Sequence, residues 1–362
     1  MTPLHVVIDA RELAGHVTGA GTYLLQMLRQ WAGRPDVTLT LISHAPLAPA
    51  VDAIPHLAAS RVVRPDATGG TLWEQIVLPR AIAASGADVL LAPAYTAPLT
   101  TRIPVVQVVH DVSFAAHPEW YPQPGRLRRN IVSRRAARRA AAVVTISEFS
   151  AGEIRRYFGV PSNRLHVIPP GAPPKAAAAD HVRDREPLIT CVGSIFNRRH
   201  VPALIEAAAL LARADARLFL AGANRTWPHQ DIRAHIASSS AASRITWREG
   251  ASDGDINHML ARASASCWLS EYEGFAMTPL EGLAYGVPPV LLDTPVAREV
   301  YADAALYVDR PDPRAVAAML DTLLADVTLR EDLVGRAAAL WTRFDWGRSA
   351  SRLLETLREA AR

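Results

Sequence analysis

EGFAMTPLEGLAYG, residues 273–286, decides how the rest of this chain is read. Two carboxylates, Glu273 and Glu281, bracket a segment that passes from loop to helix. The preceding SASCWLS (264–270) is apolar enough for a buried strand. Gly274 loosens the backbone, and Thr278-Pro279 marks a helix start. Pro279 suits a first helical turn, where a missing N–H costs little. Gly286 ends the helix, with Pro288 beyond it. A strand end, a short loop and a fresh helix N-terminus form a site for an anion, because unpaired N–H groups and the helix dipole point at it. The flanking carboxylates suit hydroxyl groups. A ligand carrying both phosphate and hydroxyls is a nucleotide sugar.

Upstream, strand-like and helix-like segments alternate. LHVVID (4–9), VTLTLISH (37–44), DVLLAPA (88–94), IPVVQVVHDV (103–112), AVVTIS (142–147) and RLHVIPPGA (164–172) read as strands. GTYLLQMLRQWAG (21–33), TLWEQIVLPRAIAAS (71–85), PGRLRRNIVSRRAARRAA (124–141) and the Ser-capped SEFSAGEIRRYFG (147–159) read as helices. PPKAAAADHVRDREP (173–187) breaks the pattern with Pro, Ala and charge, and alternation then restarts. Strands are expected at 187–195, 216–224, 244–250, 264–270, 288–293 and 305–309, with helices at 201–214, 331–344 and 345–362. A chain of 362 residues suits two domains. The pattern predicts an α/β protein with two doubly wound, Rossmann-like domains, residues 1–172 and 187–344, joined by a linker over 173–186.

The two glutamates inside EGFxxxPLExxxxG resemble the signature of retaining glycosyltransferases of family 4, group 1 type. TGAGTY (18–23), LWEQIVLP (72–79), HDVSFAAHPEWYP (110–122), ISEFSAGEI (146–154), VPSNRLHVIPPGA (160–172), VGSIFNRRHVPALIEA (192–207) and VPPVLLDTPVAREVYADAALYVD (287–309) echo family segments in order. The resemblance covers nearly the whole chain. It implies the GT-B fold, in which two Rossmann-like domains face a central cleft and the last helix, 345–362, crosses back to the N-terminal domain. It also implies a hexosyl transfer, with mannosyl from GDP-mannose as the first expectation. The acceptor would be a saccharide or lipid-linked molecule in cell-surface glycan synthesis.

Sugar transfer passes through an oxocarbenium-like state while the leaving nucleotide gains negative charge. Arginines and helix N-termini stabilise that charge without a metal. Arg198 and Arg199 stand where the family has Arg-Lys on the donor diphosphate; Arg199 keeps the charge but changes reach and geometry. Phe196 replaces a Glu common in the family. By resemblance His110, at the end of VVQVVH, lies beside the donor sugar, and Glu273 bonds its hydroxyls; these two are the catalytic candidates. Glu281 would take the ribose. Backbone N–H groups of Phe275 and Ala276 would reach the sugar, and those of Met277 and Thr278 the phosphates. Gly19 and Gly21 would let the backbone approach the diphosphate. ANRTWPHQD (223–231) is expected on the nucleobase side. No residue presents itself as an enzymic nucleophile. The resemblance implies same-face attack, with the leaving phosphate assisting deprotonation of the acceptor.

Composition excludes other chemistries. Lys175 is the only lysine and sits in the linker, so no Lys follows a Gly-rich turn as a P-loop requires, and none suits a Schiff base. Cys191 and Cys267, both in apolar runs, are expected as buried free thiols. No metal-ligand spacing and no cofactor motif is evident. The net charge of +4 does not argue for nucleic acid. LHVVIDA near the start does not suit a signal peptide, and no run of about 20 apolar residues exists, so the cytoplasm is expected. Arg126, Arg128, Arg129, Arg134, Arg135, Arg138 and Arg139 make 126–139 a basic helix. It suits a solvated face or peripheral contact with anionic lipid on the inner membrane surface.

Three other readings compete. A nucleotide-sugar epimerase or hydrolase would act without an acceptor. A non-catalytic paralogue would bind sugar nucleotide alone. An NAD oxidoreductase is disfavoured because GAGTYL lacks the third glycine of GxGxxG.

Overall fold

The computed structural model describes residues 2–15, 17, 19–55, 57, 61–63, 69–123, 125–176, 182 and 185–362. Thr18 of the Gly-rich loop, Pro124 of the basic helix, and linker residues 177–181, 183 and 184 lie outside the described residues. The chain divides into two compact units. The first comprises Met1–Pro118, Gln123–Gly171 and Phe344–Arg362; the second comprises Glu119–Pro122 and Ala172–Arg343.

The first unit is built on a parallel sheet of seven strands: β1 (Leu4–Asp9), β2 (Val37–Ile42), β3 (Arg61–Val63), β4 (Val89–Ala92), β5 (Val105–Val108), β6 (Ala142–Thr145) and β7 (Leu165–Val167). Their order is β3-β2-β1-β4-β5-β6-β7. β4 and β6 are buried at every position, as expected of a sheet covered on both faces. Three-residue β3 escapes the sequence pattern because it is too short to display a period.

The predicted helix 71–85 is two pieces, a π-helical stretch Trp73–Val77 and an α-helix Leu78–Ser85. Pro79 explains the change, since it has no N–H to give and its ring displaces the carbonyl four residues back. The helix Glu148–Phe158 carries the expected cap, with Ser147 accepting from the Ser150 N–H at 3.0 Å. The last helix, Trp346–Ala360, belongs to this unit. Trp31 donates through Nε1 to the Ala350 carbonyl at 3.0 Å, and Ser349 Oγ donates to the Pro169 carbonyl at 2.6 Å.

The second unit holds a parallel sheet of six: β8 (Glu186–Val192), β9 (Arg217–Ala221), β10 (Ile245–Arg248), β11 (Ala263–Trp268), β12 (Pro289–Leu292) and β13 (Leu306–Val308). The order β10-β9-β8-β11-β12-β13 reverses direction between β8 and β11. That switch point, beyond the carboxyl ends of both strands, is where open α/β sheets bind ligands. Ile189, Leu218, Leu220, Ala265, Cys267 and Val290 pack into the core beneath it. The segment Glu119–Pro122 groups here and not with the continuous first 172 residues expected. Trp120 packs edge-on against Tyr272 at 6.3 Å, which gives this short run its partners.

Candidate active site

In the second unit the functional groups gather around the switch point. β8 ends at Val192, and Gly193 follows with φ 116°. A Cβ on Gly193 would stand 3.0 Å from the Trp268 ring and 3.1 Å from Arg199 Nη1, so only glycine leaves room for the arginine. A 3₁₀ turn, Asn197–Arg199, then presents both predicted arginines. The Arg199 guanidinium lies 4.0 Å from the centre of the Trp268 ring and 5.3 Å from that of Phe196. Arg198, itself buried, lies 4.5 Å from Phe196 and 6.0 Å from Trp120. Phe196, which departs from the family pattern, is thus a platform for both cations.

Arg199 does not point freely at a ligand. Its Nε and Nη2 each lie 3.1 Å from Glu273 Oε1, while Nη1 donates to the Ser194 carbonyl. Ser270 Oγ donates to the same Glu273 oxygen at 2.8 Å. Both side chains of the pair are 13% exposed. Burial pulls the Arg199 pKa down and the charge of Glu273 opposes it. Arginine nonetheless remains charged. The structure therefore unites one predicted phosphate ligand and one predicted sugar ligand in a single ion pair, leaving Glu273 Oε2 outside these bonds.

After Glu273 the chain turns through Ala276, whose φ of 65° is left-handed, into the helix Met277–Ala284. Pro279 falls in its first turn, as expected. The turn is held from behind: buried Tyr301 donates its hydroxyl to the Ala276 carbonyl. Left-handed Gly286 (φ 74°) and a 2.9 Å bond from the Val287 N–H to the Gly282 carbonyl close the other end. The N–H groups of a first turn have no partner within the helix and carry its positive dipole end.

Glu281 lies one turn further on. It lines a cavity of about 380 Å³ with Val192, Asp253, Asn257, Leu260 and Tyr285 among its other walls. That is room for a nucleoside. Burial, and then the charge of Asp253, push the Glu281 carboxyl up to about 7. The 223–231 segment does not line this cavity. It folds on itself, with Asn224 Nδ2 donating to the Gln230 carbonyl at 2.8 Å and Thr226 Oγ1 to Asn224 Oδ1 at 2.8 Å.

In the first unit, His110 follows β5 and is 7% exposed. Its Nε2 lies 3.0 Å from the Pro93 carbonyl, which can only accept, so Nε2 carries a proton and Nδ1 is the acceptor of the neutral ring. Burial lowers its pKa, which keeps it neutral. Tyr23 and Tyr95 pack edge-on at 5.4 and 5.8 Å. Tyr23 belongs to the helix Gly19–Trp31, which begins two residues before its predicted start. Gly19 opens that helix with free space where a Cβ would be, whereas a Cβ on Gly21 would stand 2.3 Å from the Glu12 carbonyl. Gly21 is thus required by packing against the Glu12 carbonyl inside the chain. Cys267 is buried, Cys191 is half-buried rather than fully buried as expected, and both are free thiols.

Two family models divide this chain: Glycosyltransferase Family 4 over residues 17–175 and Glycosyl transferases group 1 over residues 175–339. The chain belongs to the family 4, group 1 glycosyltransferases. O-antigen chain mannosyltransferase B of Escherichia coli is 26% identical over 260 residues, 67% of this chain and 66% of that protein. MMP alpha-(1->4)-mannosyltransferase of Mycolicibacterium hassiacum is 28% identical over 196 residues, 53% of this chain and 47% of that one. The chain thus spans just under two thirds and about half the lengths of these two relatives.

The Anabaena Alr3699/HepE structure in complex with UDP and glucose superposes with a TM-score of 0.77 at 18% identity, covering 98% of this chain and 100% of that one. WaaG, a glycosyltransferase involved in lipopolysaccharide biosynthesis, gives 0.75 at 15% identity, covering 98% and 99%. The fold is GT-B.

The turn before the helix carries strain at Ala276, whose φ is 65°. An alanine in the left-handed region costs about 1–2 kcal/mol. Ala276→Gly is expected to raise stability in urea by about 0.5–1 kcal/mol, the gain being reduced by the greater freedom of glycine when unfolded. A loss of stability would show that the Ala276 methyl packs usefully.

Proposed function

We propose that this chain is a retaining hexosyltransferase, mannosyl by preference, that uses a nucleotide-diphosphate sugar. The observation that carries the reading is the succession of groups around the switch point. The buried Arg199–Glu273 pair, the left-handed turn, the helix N-terminus and Glu281 in its cavity follow in the order sugar, phosphate, ribose. The mannosyl unit is supported by the relatives named mannosyltransferases, and GDP-mannose is the donor proposed with it. The acceptor is assigned as a saccharide or lipid-linked molecule of cell-surface glycan synthesis.

In this reading Glu273 accepts from hydroxyls of the transferred sugar, and neutral His110 accepts one through Nδ1. Phe275 and Ala276 offer N–H groups to the sugar. Met277 and Thr278, with Gly19 and the two arginines, face the diphosphate. The bond from the anomeric carbon to the phosphate oxygen breaks, and a bond to the acceptor oxygen forms on the same face. The acceptor proton passes to the departing phosphate oxygen. Because arginines and the helix N-terminus meet the leaving charge, no metal is assigned to the step. The cytoplasm is the assigned compartment, and 126–139 is the assigned membrane-facing segment.

The test is a thermal-shift panel of GDP-mannose, UDP-glucose, UDP-N-acetylglucosamine and NADH, followed by transfer with EDTA present. Saturation at about 100 times Kd stabilises the native state by about 2.7 kcal/mol. A shift with GDP-mannose and an α-linked, EDTA-resistant product support the reading. Sugar release or isomerisation without an acceptor supports the hydrolase or epimerase. A shift with NADH alone, or an inverted product, overturns the proposal.

A further inference from the structure

Four non-glycine residues among those described hold a positive φ, and two of them are alanines, Ala276 (65°) and Ala302 (47°). An alanine stays in such a conformation only where its surroundings fix it. Each of these alanines gives its carbonyl to a tyrosine hydroxyl. Tyr301 donates to the Ala276 carbonyl, and Tyr307 donates to that of Ala302 at 2.7 Å.

The two contacts act in series. Tyr301 is the last residue of the helix Pro295–Tyr301, and Ala302 follows it. Thr294 caps the front of that helix, accepting from the Ala297 N–H at 3.2 Å. Within it, the Arg298 guanidinium lies 3.6 Å from the centre of the Tyr307 ring and gives Asp293 two nitrogens at 2.8 and 2.6 Å. Asp293 follows β12, and Tyr307 lies in β13. Tyr301 is therefore anchored to the sheet and not to the turn it supports. It is fully buried. Burial holds its hydroxyl well above the ordinary pKa, and the charges of Glu281 and Glu273 add to this, so it donates at every working pH.

The Ala276 carbonyl is one end of a peptide group whose other end is the Met277 N–H. That peptide is trans, so the two ends point in opposite directions within one plane. Holding the carbonyl on the Tyr301 side aims the N–H to the far side. There it leaves the first turn of the helix Met277–Ala284, where it has no partner within the helix. A bond accepted at the carbonyl also polarises the group and strengthens its N–H as a donor. A phenylalanine would fill the same space, so packing leaves the hydroxyl unexplained. We propose, resting on the assignment of the Met277 N–H to the diphosphate, that Tyr301 is a positioning residue for sugar transfer. It acts through this peptide on the charge that forms as the diphosphate leaves.

The experiment compares Tyr301→Phe with the tyrosine chain, each with alanine and with glycine at 276. With alanine, kcat is expected to fall about tenfold, short of the 10²–10³ that follows outright removal of a donor. KM should stay within about twofold, because the leaving charge exists only in the transition state. GDP, or UDP where that is the nucleotide wild type binds, carries that charge in the ground state. Its Kd should rise by about the same factor in calorimetry, while the Kd of the nucleoside, which has no phosphate, stays unchanged. Glycine holds this turn without strain, so in the Ala276→Gly background loss of the hydroxyl should lower kcat by less than about threefold. Wild-type kcat in Tyr301→Phe, an equal loss in both backgrounds, or equal weakening of nucleoside and nucleoside diphosphate would overturn the proposal and leave the donor assignment standing. So would a Tyr301→Phe chain that no longer folds, which would assign the hydroxyl to stability. A wild-type chain that binds neither nucleotide and transfers no sugar would overturn the donor assignment, and the positioning role with it.

Discussion

Arg199→Ala will lower the stability of the second unit by about 3–5 kcal/mol, because it strands a buried carboxylate. If Arg199 meets the diphosphate as proposed, the substitution will also lower transfer about 10²–10³-fold, the cost of removing one preorganised donor at a developing charge. The geometry makes both effects follow from one side chain. Arg199 gives two nitrogens to Glu273 Oε1 and a third to the Ser194 carbonyl, over the face of Trp268. Without it, Glu273 keeps only the Ser270 hydroxyl among these partners.

Replacing both partners separates stability from chemistry. Arg199→Met with Glu273→Gln leaves no unpaired charge, so the urea midpoint should return most of the way to wild type while transfer stays lost. Arg199→Lys restores the residue type expected at this position from the resemblance. Its single ammonium cannot reproduce the two-nitrogen contact or the stacked plane, so stability should fall between alanine and wild type. A single alanine variant with wild-type stability would show that the pair is replaced by solvent and that Glu273 is held by Ser270 alone.

Local signals carried much of this site. The helix start at Thr278-Pro279, its end at Gly286 and the strand before it are short-range consequences of proline, glycine and apolar runs, and the structure has them there. The pairing of Arg199 with Glu273 joins residues 74 apart, and no local pattern announces it. Trp268 looked like one more apolar strand residue, yet its ring carries the guanidinium; a large aromatic at the last position of a strand ending at a switch point is the signal that was available. Tyr301, which holds the left-handed turn through its hydroxyl, offered no such signal. Gly21 carries a packing constraint that the Gly-rich pattern does not announce: a Cβ there would stand 2.3 Å from the Glu12 carbonyl. Asp253 and Asn257 joined the cavity only once the helix Asp253–Arg262 was set beside Glu281.

Glu281→Gln will make the free protein more stable above pH 7 and bind donor about 10–100-fold more weakly. In the folded chain burial raises this carboxyl from 4.5 to about 7, with Asp253 adding to the effect. The folded state then holds a proton that the unfolded state has released, so stability falls as pH rises from about 4.5 to 7, by about 3 kcal/mol at most. The glutamine variant should show no such fall, and its melting point should exceed that of wild type at pH 8. Ribose hydroxyls are donors, and a carboxylate accepts each of them more strongly than an amide does by about 1 kcal/mol or somewhat more, since bonds to charged groups contribute about 1.5–3 kcal/mol against about 0.5–1.5 for neutral ones. Binding therefore selects the ionised form. Wild-type affinity for the donor should rise with pH toward 7 and level off above it. Calorimetry below pH 7 in buffers of different ionisation enthalpy should detect a proton released per donor bound. A flat affinity profile in wild type, or an unchanged Kd in the variant, would remove Glu281 from the ribose. The stability difference would then remain as the cost of a carboxylate buried for some other ligand.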